Sequence, residues 1–217
     1  MCEEQEIEQE ENQESDKEEV PSLERVLCDT SQIFIYEEIT PKLAKEVNKR
    51  IIAYSMIRPN HPITVWISSP GGCILSGLSI IDTLLSRGVY IITVVTGEAA
   101  SMAALISICG DQRIMSENAY WMQHAGAGGA WGNTQEVSNR ADWYKKLDKR
   151  CDKIIRKKTK FTEEDIQKYK DGELWLDANQ AKRKGVVDHI MKIRLRDINK
   201  PQKKPAVKKS VKKTKKK

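Results

Sequence analysis

The sequence predicts an α/β protein, a mostly parallel sheet flanked by helices, and three observations carry that expectation. Short continuous apolar runs such as ITVWIS (63–68) and VYIITVV (89–95) have the length and β-branched content of strands buried on both faces. Between them lie segments whose apolar residues recur at helical spacing. At the joints stand residues that start or stop helices, so strand and helix alternate, the order that builds parallel sheets. With 217 residues and 39% hydrophobic content, the chain can bury one good core.

The elements follow in order. QIFIYEEI (32–39) reads as the first strand. The segment TPKLAKEVNKRIIAYSMI (40–57) reads as a helix, with Thr40 as N-cap, Pro41 in the first turn, and Leu43, Val47 and Ile51 four apart on one face. Pro59 closes it. ITVWIS is a second strand, SSPGG (68–72) a tight loop, ILSGLSIIDTLLSR (74–87) a helix ended by Gly88, and VYIITVV a third strand. GEAASMAALISIC (97–109) reads as a turn and helix stopped by Gly110, and AYWMQH (119–124) as a further strand. After GAGGAWGN (126–133) comes a long polar helix from about Thr134 to Lys158, then a short one opened by a capping box of Thr162 and Asp165. WLDANQAKRKGVVDHI (175–190) ends the body as strand, helix and strand, with Asp177 as N-cap and Gly185 as C-cap.

Charge is spread unevenly behind a formal net charge of +6. Residues 1–19 hold ten acids against one lysine, and residues 200–217 hold ten lysines and no acid. Like charges at that density resist collapse. The expected division is an acidic disordered tail (1–22), a folded domain (23–197) and a Lys-rich disordered tail (198–217). The lysine run attracts phosphate, but it has no aromatic residue to stack on bases, which weighs against a nucleic-acid partner. The acidic start is unlike a secretion signal, and no apolar run approaches the ~18 residues that span a bilayer. A soluble, cytoplasmic protein with no membrane partner is expected. Its five cysteines are odd in number, widely spaced and without a CxxC pair, which argues for free thiols and against a metal site. No cofactor is expected.

One serine stands out. In GEAASMAA (97–104), Ser101 falls where a buried strand gives way to a helix, so its oxygen would be presented at the carboxyl edge of the sheet near a helix N-terminus. Small neighbours would let a substrate backbone approach. A serine hydroxyl needs an adjacent base and donors for a developing oxyanion. His124 ends the strand after the serine helix, where parallel pairing can bring it beside Ser101. The glycines of SPGG (69–72) can turn backbone N–H groups toward a ligand. Taken singly, each has a plainer reading: a packing serine, a structural histidine, a turn. His61 and His189 lack a matching partner and read as structural.

The joint order of these motifs resembles the Clp protease proteolytic-subunit family (ClpP). The blocks that carry the resemblance are ISSPGG (67–72), GLSIIDTL (77–84), GEAASMAA (97–104), MQHAGAGG (122–129) and WLDANQAKRKGVVD (175–188), within roughly residues 31–193. The resemblance implies Ser101 as nucleophile, His124 as general base, and the N–H groups of Gly72 and Met102 as oxyanion hole. It places Glu173 where the family usually has an aspartate, with Asp171 as the alternative third member. It also implies a crotonase-like subunit with a protruding handle, made of the GAGGAWG strand (126–132) and the helix from Thr134. Gly71, Gly126, Gly128 and Gly129 would bind substrate backbone by strand addition. Stacked rings of this chain, heptameric by family habit, and peptides or unfolded proteins as substrates follow in the same way.

Two departures bear on partners. The segment before QIFIY lacks the family's usual gate-building stretch, which puts docking of an AAA+ unfoldase in question, and no GxxxxGK[ST] loop is present, so any ATP use belongs to another protein. The charged ends are compatible with a divergent, phage-borne member. Two other readings remain open: a catalytically silent ring or scaffold subunit, and a crotonase-type acyl-CoA enzyme holding a thioester oxyanion with similar N–H groups.

Overall fold

The computed structural model describes residues 21–192. Both charged ends, 1–20 and 193–217, lie outside the described residues, and the expectations for the acidic and Lys-rich tails fall there. Seven strands form one sheet: β1 (Gln32–Ile35), β2 (Ile63–Ser69), β3 (Ile91–Ala100), β4 (Gln112–Ser116), β5 (Tyr120–His124), β6 (Glu173–Asp177) and β7 (His189–Met191). Along the main path the order is β1-β2-β3-β4-β7, every pair parallel. β5 joins the far end of β3 in parallel and pairs with β6 antiparallel, so the sheet is mixed but mostly parallel.

The helices are α1 (Leu23–Asp29), α2 (Pro41–Ile57), α3 (Ile74–Ser86), α4 (Met102–Ser107), α5 (Thr134–Lys158), α6 (Glu163–Asp171) and α7 (Ala178–Arg183). Local chemistry sets their ends. Thr40 accepts the Leu43 N–H at 3.2 Å with Pro41 in the first turn, and α2 then buries Ala44, Val47, Ile51 and Tyr54 against the sheet. Removing a side chain the size of Ile51 from water contributes about 1.5–3 kcal/mol. Capping boxes open α5 (Asn133 with Glu136), α6 (Thr162 with Asp165) and α7 (Asp177 with Gln180).

Besides α1, which the sequence reading did not include, three features depart from it. The third strand does not stop at Val95 but runs to Ala100. Gly97, at φ +81°, sits in a bulge: Ile67 pairs with Val95 and Ser69 with Ala99, so β3 carries two extra residues there. A Cβ at Gly97 would stand 2.7 Å from Ser68 Oγ, which is why glycine serves at that position. Before the bulge β3 pairs with β4, and after it with β5. Second, β4 was not anticipated; QRIMS buries only Met115 and so lacks an apolar run. Third, residues 126–132, expected as the strand of the handle, form no strand, because no neighbouring backbone among the described residues pairs with them.

Arg113 on β4 ties three elements together. Its Nη2 and Nε donate to the Asp188 carboxylate at 2.6 and 3.1 Å, while Nη1 donates to the carbonyls of Lys158 and Gly185, both at 2.7 Å. The end of α5 and the turn before β7 are thereby held to the sheet. The guanidinium keeps the Asp188 carboxyl below the usual carboxylate range, outweighing partial burial.

Candidate active site

Ser101 follows the last residue of β3 and immediately precedes α4, in a backbone conformation of φ 54°, ψ −120°. Among the described residues only Ser31 and Ser101 are non-glycine residues with positive φ. Such a conformation costs on the order of 1–3 kcal/mol and persists only where its surroundings hold it. Here they do: the Ser101 N–H donates to the Met122 carbonyl on β5 at 2.9 Å, and its carbonyl accepts the Leu105 N–H at 3.3 Å. α4 is buried along its whole length, so the turn rests on a fixed base. The Trp121 indole N–H, 3.3 Å from the Ala104 carbonyl and 3.2 Å from Ser107 Oγ, reinforces it.

β5 carries the imidazole to the serine. Ala100 pairs with Met122, so His124 lies just past the paired end of β5 as Ser101 lies just past that of β3. His124 Nε2 is 2.9 Å from Ser101 Oγ. With that nitrogen unprotonated, the hydroxyl donates to it, the arrangement that raises a serine's nucleophilicity.

The SSPGG loop closes the third side. Ser69, fully buried, donates to the Glu37 carbonyl at 2.7 Å and accepts the Gly71 N–H at 3.1 Å. The Gly71 carbonyl accepts the Ile39 N–H at 2.7 Å, and the Cys73 N–H donates back to Ile39 at 2.8 Å. That bridge leaves out the Gly72 N–H. Met102, as first residue of α4, has no acceptor for its N–H within the helix. Gly71, at φ +96°, presses directly on the serine turn: a Cβ there would meet Ala100 O at 2.6 Å and Ser101 Cβ at 2.7 Å. Two clefts flank the serine–histidine pair, of about 350 and 300 Å³. Ile74, Ser101, His124 and Gly126 line both.

The acids are placed differently. Glu173 opens β6 and lies directly across from His124 in the antiparallel ladder, so both side chains belong to one face of the sheet. Its Oε2 accepts the Trp175 indole N–H at 2.7 Å. Asp171 ends α6, and its Oδ1 accepts from Gln167 Nε2 at 2.7 Å. Among the described residues the imidazole bonds Ser101 and neither carboxylate. Of the glycines, Gly126 gives its N–H to Asp148 at 3.2 Å, Gly129 accepts the Tyr144 hydroxyl at 3.0 Å, and Gly128 lies against the Tyr144 ring. His61 and His189 take no part in the site.

A family model described as Clp protease matches residues 15–194. The chain belongs to the Clp protease family. It is similar to the ATP-dependent Clp protease proteolytic subunit 1 of Chlamydia trachomatis, 31% identical over 173 residues, which are 78% of this chain and 90% of that protein. The subunit 1 of Shouchella clausii is 32% identical over 163 residues, 74% of this chain and 84% of its own. A subunit 2 of Corynebacterium efficiens is 29% identical over 161 residues, 73% and 81% respectively.

In this Clp-family chain the larger cleft is walled by residues that the motifs did not reveal. Asp148 and Cys151 of α5 and Tyr169 of α6 line it beside Met102. Burial pushes the Cys151 thiol up to about 11, so it stays protonated at neutral pH. Burial, and then Asp152, raise the Tyr169 hydroxyl above its ordinary value, and it donates to Asp152 at 2.5 Å. The spacing of Tyr144, Leu147, Cys151 and Ile155 marks the inward face of α5, the one signal available beforehand. Among the described residues no group of His, Cys, Asp or Glu is arranged to hold a metal, and no helix is long and apolar enough to cross a membrane.

Proposed function

We propose that the chain is a serine endopeptidase that cuts peptides or unfolded polypeptides through an acyl-enzyme on Ser101. The observation that carries this reading is the 2.9 Å contact between Ser101 Oγ and His124 Nε2 at a strained strand-to-helix turn. In the proposed reaction, Nε2 takes the hydroxyl proton as Oγ attacks the carbonyl carbon. The N–H groups of Gly72 and Met102 stabilise the resulting oxyanion, and the imidazolium returns the proton to the leaving amine. Water then repeats the sequence to release the acid. An extended substrate pairs with the stretch around Ala127 and Gly128, whose ends are anchored to α5. Glu173 completes the triad by turning from Trp175 to the imidazole Nδ1–H, with Asp171 as the second choice. The relatives are named as proteolytic subunits of ATP-dependent proteases; self-assembly into rings in the cytoplasm, with ATP used by a partner unfoldase, is part of the same proposal.

A silent scaffold subunit is the second reading, favoured by the engagement of Glu173 with Trp175. A fluorophosphonate separates the two, because only an activated serine reacts with it. Stoichiometric labelling of an assembled oligomer, lost in Ser101→Ala together with peptide hydrolysis, is the expected result. An intact oligomer that resists labelling would falsify the enzyme reading.

A further inference from the structure

The face of α5 that leads away from the larger cleft carries lysines whose charge nothing else in the described structure answers. Lys149, Lys153 and Lys157 recur every four residues, so they share one side of the helix, and all three are exposed. With Asp152 and Arg156 they line a shallow groove of about 570 Å³. Lys149 and Asp152 also line the cleft beside Ser101, so groove and cleft are continuous.

Several neighbouring charges are paired, while Asp148, which lines the cleft with Lys149, accepts the Gly126 N–H and has no ion pair among the described residues. Asp152 Oδ2 lies 2.5 Å from Lys170 Nζ, and its Oδ1 takes the Tyr169 hydroxyl. Arg156 is bidentate to Glu163, and Lys145 pairs with Asp142 at 3.1 Å. Among the described residues, Lys149, Lys153 and Lys157 have no ion pair. Like charges four apart destabilise a helix, whereas an ordinary solvated face alternates signs at that spacing. The stripe spans roughly 12 Å along the helix, the length of three or four residues of extended chain.

We propose that this stripe receives acidic side chains of the substrate, so that polypeptides with Asp or Glu clustered within a few residues of the cut bond are favoured. The proposal rests on the reading of Ser101 as the nucleophile beside the cleft. The groove's lining includes no aromatic side chain on which a base could stack, which favours a peptide over a nucleic-acid strand.

The test uses the full-length Ser101→Ala protein and three fluorescein-labelled peptides of one sequence, differing only in four positions filled by Glu, Gln or Lys. Anisotropy should show the Glu peptide binding on the order of tenfold tighter than the Gln peptide at low salt, and the Lys peptide weakest. Raising the salt to about 0.5 M should remove most of that advantage. So should the triple change Lys149→Gln, Lys153→Gln and Lys157→Gln, which keeps good helix formers in place. Equal affinities for the three peptides, or a Glu advantage that survives the triple change, overturns the proposal. Tighter binding of single-stranded DNA than of the Glu peptide, lost in the triple variant, overturns it as well. Fluorophosphonate labelling of the unmutated protein reads the Ser101 assignment separately, since binding by the stripe does not require acylation.

Discussion

Replacing Gly71 by alanine probes how the serine turn is held. The backbone at φ +96° costs an L residue about 1–2 kcal/mol. The new Cβ would stand 2.6 Å from Ala100 O, 2.7 Å from Ser101 Cβ and 3.0 Å from Met102 N. Carbon atoms in contact sit about 3.5 Å apart, so roughly 0.8 Å must be opened, and the obstructing atoms are mostly backbone that cannot swing aside. Overpacking of that kind costs about 1–3 kcal/mol. The sum, about 2–5 kcal/mol, corresponds to a fall of about 5–15 °C in Tm for a chain of this size. Whatever is relieved by pushing the turn away displaces Ser101 and Met102, and a shift near 1 Å at reacting groups costs about 100-fold in rate. Gly88→Ala is the control: its φ is +69°, but nothing lies within 4 Å of the added carbon. It should lose only about 1 kcal/mol and label normally. The assay pairs the fluorophosphonate labelling rate with thermal melting. A Gly71→Ala protein that labels and melts like the parent would refute the reasoning.

Two further outcomes are expected. Trp175→Phe removes the N–H that holds Glu173 Oε2, and should free the carboxylate to reach His124, raising the labelling rate by about fivefold if that exposed bond is worth about 1 kcal/mol. A gain that persists in Trp175→Phe/Glu173→Gln would show that Glu173 is not the acid. The Arg113–Asp188 pair should set part of the acid sensitivity. The Asp188 carboxyl is held below its unfolded value by Arg113, so its contribution is present above about pH 4 and lost as pH falls through the lower folded value. Asp188→Asn should therefore melt a few degrees lower at pH 7 and show a flatter fall of Tm in acid. Parallel Tm–pH curves for the two proteins would count against this.

What could be read from the sequence was mostly what local hydrogen bonds decide. Thr40 and Pro41, Thr162 and Asp165, and Asp177 with Gly185 each mark a boundary within a few residues of themselves, and the helices begin and end there. Ser101 and His124 were legible because each terminates an apolar strand. Elements without a buried stripe were not: α1 has no buried residue, and β4 has one. Gly97 reads as a turn residue, yet it serves a bulge within a continuing strand, which depends on Ser68 of a neighbouring strand. The opposition of Glu173 to His124 is a matter of register between β5 and β6, and the competing indole of Trp175 lies only two residues away on the same face. Nothing local distinguishes a carboxylate that turns toward the imidazole from one that turns toward the indole.

The division of β3 at its bulge has a mechanical result. Hydroxyl and imidazole ride on one ribbon, the last three residues of β3 stitched to β5, and a backbone bond joins Ser101 to Met122 within it. Glu173, proposed as the orienting acid, rides on β6, a strand whose sheet partner is β5. Loosening the β5–β6 pairing would therefore move Glu173 while serine and histidine stay in register on the β3–β5 ribbon.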